Sequence, residues 1–307
     1  MVLPESVLIR EVGPRDGFQN EPELIPTATK IALVDMLART GLRRLEVTSF
    51  VRGDVIPQLV DAEEVLAGID VPEDVAVSVL IPNQRGLERA LALREHFQEI
   101  NCFMSASEAH NRHNVGASVD ESLLGLERVI PRARAEGLRV EAVISVSFGC
   151  PYEGVVEPER VFAIAARLIA AGAQEIGFGD TTGMANPVAV REFFAAAGET
   201  LDPAVELTAH FHNTRGQGLA NVLTALESGC RSFESSFGEL GGCPVPPGAT
   251  GNIATEDLVG MLEEMGVATG VVLERVLEAA AAVRQQLGRA LGSHTLLAGP
   301  IDWHPEA

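Results

Sequence analysis

The chain has 307 residues, with 23 Lys and Arg against 43 Asp and Glu, and its net charge of −20 argues against the basic footprint of a nucleic-acid binder and would be repelled by an anionic membrane surface. With 46% hydrophobic and 21% charged residues it can bury a sizeable core and does not have the composition of a disordered chain. No apolar run reaches the ~18 residues of a membrane helix, and the start MVLPESVLIREVG lacks the charged and small-residue segments of a signal peptide, so a cytoplasmic compartment is expected.

Short Val- and Ile-rich runs alternate with stretches of helical period, and eight such pairs follow one another. Strands are predicted at Leu8–Val12, Arg44–Ser49, Val75–Ile81, Glu99–Met104, Val140–Val146, Glu175–Gly179, Glu206–His212 and Ser232–Phe237. The helices between and after them are predicted at Thr27–Arg39, Asp61–Leu66, Arg85–Glu95, Val119–Glu136, Pro158–Ala170, Pro187–Glu199, Gly216–Glu227 and Thr255–Glu264. Eight β-then-α units in ~260 residues imply an α/β protein with a (β/α)8 TIM barrel. The first turn, Gly13-Pro14-Arg15-Asp16-Gly17, does not fit GxGxxG, and Gly177-Phe-Gly179-Asp-Thr-Thr-Gly183 has the wrong spacing for it, which argues against a dinucleotide fold. A further helical pattern, Gly270 to Leu291, predicts additional C-terminal helices that cap the barrel or make an oligomer contact. Residues 1–307 therefore read as a single TIM-barrel domain in which 268–307 form a helical extension and tail. That tail holds the only tryptophan, Trp303, expected to pack loosely or against a partner.

Four cysteines, Cys102, Cys150, Cys230 and Cys243, are too widely spaced for a CxxC motif and too few for a disulfide scaffold, so reduced thiols are expected. Cys102 and Cys230 belong to apolar strands and read as core, whereas Cys150 can be read either way. Lys30 is the only lysine, on the first helix, which is predicted to lie outside the barrel. A Schiff-base mechanism needs a lysine inside the barrel, so this composition excludes it.

Active sites of such barrels lie at the carboxyl ends of the strands. Arg15 and Asp16 follow strand one, Glu46 lies on strand two, Asp180 ends strand six, His210 and His212 lie on strand seven, and Cys243 and Asn252 come after strand eight. The period-2 alternation of a strand turns His210 and His212 to one side. Two imidazoles with the Asp16 carboxylate and the Asn252 amide oxygen make a mixed N/O set suited to Mg²⁺ or Mn²⁺, although a His-x-His pair satisfied by backbone groups is the plainer alternative. Arg15 beside the set can stabilise an oxyanion, or else simply pair with Asp180 or Glu46. Cys243, after two glycines, can act as a general acid or base. The remaining histidines, His96, His110, His113, His294 and His304, are expected at the surface, with His110 and His113 in a polar loop.

Taken together, Glu11-Val-Gly-Pro-Arg15-Asp16-Gly-Phe-Gln-Asn-Glu21, Glu46-Val-Thr-Ser-Phe50, Gly149-Cys-Pro-Tyr-Glu-Gly154, Gly179-Asp180-Thr, His210-Phe-His212, Leu240-Gly-Gly-Cys243-Pro and Gly251-Asn252-Ile-Ala-Thr-Glu-Asp257-Leu resemble the 3-hydroxy-3-methylglutaryl-CoA lyase family, over roughly Ile9 to Val283. The resemblance implies that Asp16, His210, His212 and Asn252 hold a divalent cation, Mg²⁺ or Mn²⁺, that Arg15 stabilises an enolate, and that Cys243 is a catalytic acid or base with Glu46 and Asp180 as supporting carboxylates. It implies an acyl-CoA thioester substrate, retro-Claisen cleavage to acetyl-CoA and a β-keto acid, acetoacetate for the usual substrate, and a homodimer. The chain departs from the family at Glu239, Val245, Asn213 and Arg215, and at Arg112-His113 in place of a lysine pair; Glu239 and Arg215 are expected to alter acyl recognition or to pair with one another. The alternatives are an aldolase or Claisen-condensing enzyme acting on a 2-oxo acid, an amidohydrolase-type metallohydrolase, and a barrel that binds metal or thioester without catalysis because Glu239 has spoiled the site. The Gly-Gly-Cys-Pro loop argues against the first, and the position of His-x-His on strand seven rather than strand one against the second.

Overall fold

In the computed structural model, which describes residues 3–242 and 251–301, eight parallel strands close into a barrel in chain order. They are β1 (Leu8–Glu11), β2 (Arg44–Ser49), β3 (Ala76–Leu80), β4 (Glu99–Ser105), β5 (Arg139–Ser145), β6 (Glu175–Asp180), β7 (Glu206–Phe211) and β8 (Ser232–Ser235), and β8 pairs back onto β1. Around them run α1 (Thr27–Leu37), α2 (Ala62–Gly68), α3 (Gln84–Leu91), α4 (Glu108–Val115), α5 (Val119–Ala135), α6 (Pro158–Ala171), α7 (Pro187–Thr200), α8 (Gly218–Glu227), α9 (Thr255–Glu264), α10 (Leu273–Leu287) and α11 (His294–Ala298). The expected TIM barrel with extra C-terminal helices is what the chain forms. No helix among the described residues is long and apolar enough to cross a membrane.

The departures from expectation have local causes. β1 stops at Glu11 because the chain turns at once into a π-helical turn, Gly13–Gly17, in which the N–H groups of Arg15 and Asp16 both donate to the Val12 carbonyl. Pro14 fits there because its fixed φ suits a first turn and its missing N–H is not needed. β8 likewise ends at Ser235, before a 3-10 turn over Phe237–Glu239. The predicted loop around His110 and His113 is helix α4, which Ser107 caps by accepting from the His110 N–H. Its run of polar side chains hid the helical period, and His110 is buried rather than at the surface. The C-terminal pattern forms α10, which packs on α1 and α9, followed by the short helix α11. Trp303 and His304 lie outside the described residues.

Alternation along each strand sorts the side chains. Ile9, Leu45, Ile100, Ile144, Phe178 and Phe211 face outward and are buried beneath the helices. The barrel interior is ionic toward its amino end, where many barrels stack branched apolar residues. Arg10, fully buried on β1, is paired with Glu99, Glu141, Glu175 and Glu234, while Arg44 bonds Glu99, Glu175 and Glu206. Burial alone would raise the pKa of Glu175, but Arg10 and Arg44 outweigh it and hold the carboxyl down at about 2. Such a lattice is costly to break, since removing one partner of a buried pair typically destabilises by about 3–5 kcal/mol. It forms the floor on which the upper layer of polar residues rests.

Candidate active site

At the carboxyl end of the barrel the residues singled out in the sequence converge. Arg15 and Asp16 ride on the π-helical turn after β1, both buried. The Arg15 guanidinium donates to Asp16 Oδ1 at 2.5 Å and to Glu46 Oε2 at 2.8 Å, so two carboxylates fix its fork. The partner is Glu46, not Asp180. Burial disfavours the charged guanidinium, but Glu46 and Asp16 more than compensate and raise its pKa.

His210 faces the interior from β7, and His212 follows two residues later on the same side, with Nε2 of the two rings 3.1 Å apart. His212 bridges to Asn252, which brings the loop after β8 across the barrel mouth. Asn252 Nδ2 donates to Asp16 Oδ2 at 2.7 Å and to the Leu240 carbonyl at 3.1 Å, leaving its buried Oδ1 without a partner. One ligand atom from each of Asp16, His210 and His212 lies within 4.8 Å of the others. A carboxylate, two imidazoles and an unsatisfied amide oxygen are the donor set a hard divalent cation takes, and the residues fit such an ion.

The electrostatics agree. Burial, then the neighbouring His210, push His212 down to about 3, so its ring is neutral with a lone pair to offer. Burial would also lower His210, but Glu234, whose Oε2 lies 2.8 Å from His210 Nδ1, raises it overall. That hydrogen bond fixes the tautomer and presents Nε2 to the site. Burial opposes ionisation of Asp16, yet Arg15 and the histidines hold it below the usual carboxylate range. Gly241 passes beside these ligands at φ +108, where a Cβ would stand 2.7 Å from Asn252 Nδ2; the position needs glycine for both reasons.

A cavity of about 760 Å³ opens over the cluster, lined by Arg15, Asp16, His210 and His212 together with Gln19, Asn101 and Phe103. Asn101 is 1% exposed and neither polar atom of its side chain has a partner, so a bound molecule or water must satisfy it. Sequence reasoning missed Asn101 and Glu234. Each is a polar residue at an inward position directly after an outward apolar one, Ile100 before Asn101 and Phe233 before Glu234, and that alternation was the available signal.

The other expected residues are placed differently. Glu46 lies beneath Arg15 rather than in the cavity wall. Asp180 does not line the cavity either; its Oδ1 accepts from the N–H groups of Met184 and Ala185, and burial pushes its pKa up to about 7. Cys243 and Val245 lie outside the described residues. Glu239 faces Gly292 and accepts from Asn213 Nδ2, away from the cavity, and its φ of +58 is a strained value for a non-glycine residue. Arg215 does not pair with it but donates to the carbonyls of Thr182 and Gly183. Cys150 is buried, with its Sγ donating to Ser107 Oγ, and Cys102 and Cys230 are core residues as expected. Lys30 stays on α1, where it is buried and paired with Asp61 at 2.6 Å.

The family model described as HMGL-like matches residues 6–283. The chain is 47% identical to the hydroxymethylglutaryl-CoA lyase YngG of Bacillus subtilis (strain 168), with 96% of this chain and 98% of that protein covered. It is 44% identical to the mitochondrial hydroxymethylglutaryl-CoA lyase of Bos taurus, covering 95% and 89%. Its fold superposes at a TM-score of 0.93, with 39% identity and 99% of each chain covered, on an HMG-CoA lyase of Acinetobacter baumannii solved in complex with coenzyme A and 3-methylmalate.

Proposed function

The chain belongs to the HMGL-like family and is a carbon–carbon lyase, and on that premise we propose how its site cleaves 3-hydroxy-3-methylglutaryl-CoA to acetyl-CoA and acetoacetate. The observation that carries the reading is the convergence of Asp16, His210, His212 and the unpartnered Asn252 Oδ1 beside a fixed guanidinium. These four residues would hold Mg²⁺ or Mn²⁺, which when bound polarises the substrate oxygens and lowers the pKa of its hydroxyl.

The residues of the chain do the rest. The tertiary alcohol at C3 gives up its proton to a base, the bond between C2 and C3 breaks as C3 becomes a ketone, and its electron pair passes into the thioester as an enolate. Arg15, clamped by Glu46 and Asp16, offers a charge that needs no rearrangement to meet the enolate oxygen, and preorganised donors of this kind are worth several kcal/mol. Asn101 satisfies its amide on the acyl portion in the same cavity. Cys243 takes the role of acid or base, delivering the proton that converts the enolate at C2 to acetyl-CoA. Glu46 and Asp180 act from behind, Glu46 by orienting Arg15 and Asp180 by holding the turn after β6. The same reading has 1–307 as one catalytic barrel with 268–307 as its extension, working as a cytoplasmic homodimer.

The test is direct. Purified chain with Mg²⁺ and 3-hydroxy-3-methylglutaryl-CoA should yield acetyl-CoA and acetoacetate in equal amounts, and a metal chelator should stop the reaction. Absence of both products with this thioester and with its 3-alkyl homologues would overturn the proposal, and turnover of pyruvate-derived substrates instead would favour the 2-oxo acid alternative.

A further inference from the structure

We infer that Glu239 is a positioning residue: through Asn213 it holds the backbone that orients the Asn252 amide for the cation, an inference that rests on the metal-site reading above. Neither Glu239 nor Asn213 lines the cavity over the histidines, and both are positions where this chain departs from its family. Glu239 is nevertheless buried, and its backbone sits in the left-handed region at φ +58, where a side chain crowds the following carbonyl. A non-glycine residue keeps such a conformation only when its surroundings over-determine it. Here they do. Glu239 Oε1 accepts from Asn213 Nδ2 at 3.2 Å, while Asn213 Oδ1 accepts from the Gly218 N–H at 3.3 Å, so both ends of the Asn213 amide are fixed. The Glu239 carboxylate also lies against Gly292, where any Cβ would overlap it.

The consequence of that anchoring reaches the proposed ligand through the backbone. Leu240, the residue after Glu239, presents its carbonyl to Asn252 Nδ2 at 3.1 Å, and Asp16 Oδ2 accepts from the same nitrogen at 2.7 Å. With Nδ2 held by two acceptors the amide has one orientation, and Oδ1 is the end left without a partner. Asn213 holds the segment that carries Asn252 as well. Its N–H donates to the Gly251 carbonyl at 3.1 Å, and Gly251 packs so closely on Glu239 that a Cβ would stand 2.7 Å from the Glu239 carbonyl oxygen. Glu239, Asn213 and Gly251 thus close a ring of contacts beside Asn252. A glycine at 239 would adopt the same φ without strain but would have nothing to tie it to Asn213. An aspartate at 213 would set a second carboxylate against Glu239, so the amide at 213 and the glutamate at 239 depend on one another. The glutamate therefore supports the site rather than spoiling it.

Titration calorimetry with Mn²⁺ on the metal-free chain reads the ligand set without turnover, and thermal unfolding in chelator reads the fold. Glu239→Gly relieves the strained φ, so its unfolding temperature should equal or exceed that of the parent. Mn²⁺ should nevertheless bind it about tenfold more weakly, and kcat should fall by about the same factor with KM for the thioester within about twofold. Glu239→Gln keeps an acceptor for Asn213 and should restore Mn²⁺ affinity to within about threefold of the parent. Asn213→Asp should cost at least about fivefold more Mn²⁺ affinity in the parent chain than when added to Glu239→Gly, because only the parent holds the opposing carboxylate. Parent-like Mn²⁺ affinity in Glu239→Gly, a loss in Glu239→Gln as large as in Glu239→Gly, or additive losses in the Asn213→Asp/Glu239→Gly pair would each overturn the assignment. A lowered unfolding temperature with unchanged Mn²⁺ binding would overturn it too, leaving Glu239 a residue of the fold alone. A parent chain that binds no Mn²⁺ would overturn the metal reading and this inference with it. One that binds Mn²⁺ without cleaving the thioester would overturn the reaction only, and the Mn²⁺ affinities would still decide the role of Glu239.

Discussion

Glu234→Gln isolates how far the metal site depends on the charged interior below it. Glu234 Oε2 lies 2.8 Å from His210 Nδ1, and its Oε1 is 3.4 Å from Arg10 Nη1, so it joins the ionic floor to a proposed ligand. Glutamine keeps the shape, and its amide oxygen can still accept from His210, while the charge is lost. Arg10 keeps Glu99, Glu141 and Glu175, so no buried cation is orphaned and the apo protein should lose only about 1–3 kcal/mol. The larger effect should fall on the metal. Losing an outer partner of a ligating histidine typically weakens binding by about 10–100-fold, or about 1.4–2.7 kcal/mol. Titration calorimetry with Mn²⁺ reads the affinity, and thermal unfolding in chelator reads the apo stability separately. Glu234→Ala, which also removes the hydrogen bond, should weaken binding further. Parent-like Mn²⁺ affinity in both variants would refute the reasoning.

Four other outcomes follow from the same geometry. Arg15→Lys keeps a cation but loses the fork held by Asp16 and Glu46, and should lower kcat by about 10²–10³ in an acetyl-CoA release assay while Mn²⁺ still binds; a kcat within a few-fold of the parent would remove Arg15 from its role. Burial holds Asp180 up at about 7 against an unfolded value of 3.8, so its contribution to stability is full below pH 4 and is lost as pH rises through 7. Urea unfolding in chelator should therefore show the parent losing on the order of 2–4 kcal/mol over that window relative to Asp180→Asn, and parallel pH profiles would contradict this. Lys30→Met leaves Asp61 without its cation and should cost about 1–3 kcal/mol of stability, with lyase activity retained and no inactivation of the parent by borohydride plus substrate; borohydride trapping would reinstate a Schiff base. Cys243→Ser should lose activity while unfolding at nearly the parent temperature, and full turnover would displace the thiol from the chemistry.

Much of the fold could be read from the chain because each β-then-α unit has its own period and its own punctuation. What failed was local. α4 has no apolar stripe, so its polar run read as a loop although Ser107 and Gly116 supply both of its caps. β1 and β8 ended early because the chain turns sharply at Gly13 and Phe237, and those turns are set by contacts with distant segments, including Glu11, which accepts from the Gly13 and Phe237 N–H groups. Within the site, Asp16, His210, His212 and Asn252 were legible as residue types at strand ends. Their partners were not, because Arg10 and Glu234 are 224 positions apart and become neighbours only when β8 closes onto β1. The direction of Glu239 was likewise invisible, since it depends on Gly292 folding back from the C-terminal extension.

The central claim is that His210 on β7 and His212 just beyond it bind one cation together with Asp16, on the turn that follows β1. The most direct measurement is pulsed electron paramagnetic resonance on chain labelled with ¹⁵N-histidine and loaded with one equivalent of Mn²⁺. Two directly bound imidazole nitrogens are expected in the parent chain and one in His212→Ala. A spectrum with no coupled ¹⁵N nucleus, or one unchanged by the substitution, would contradict it.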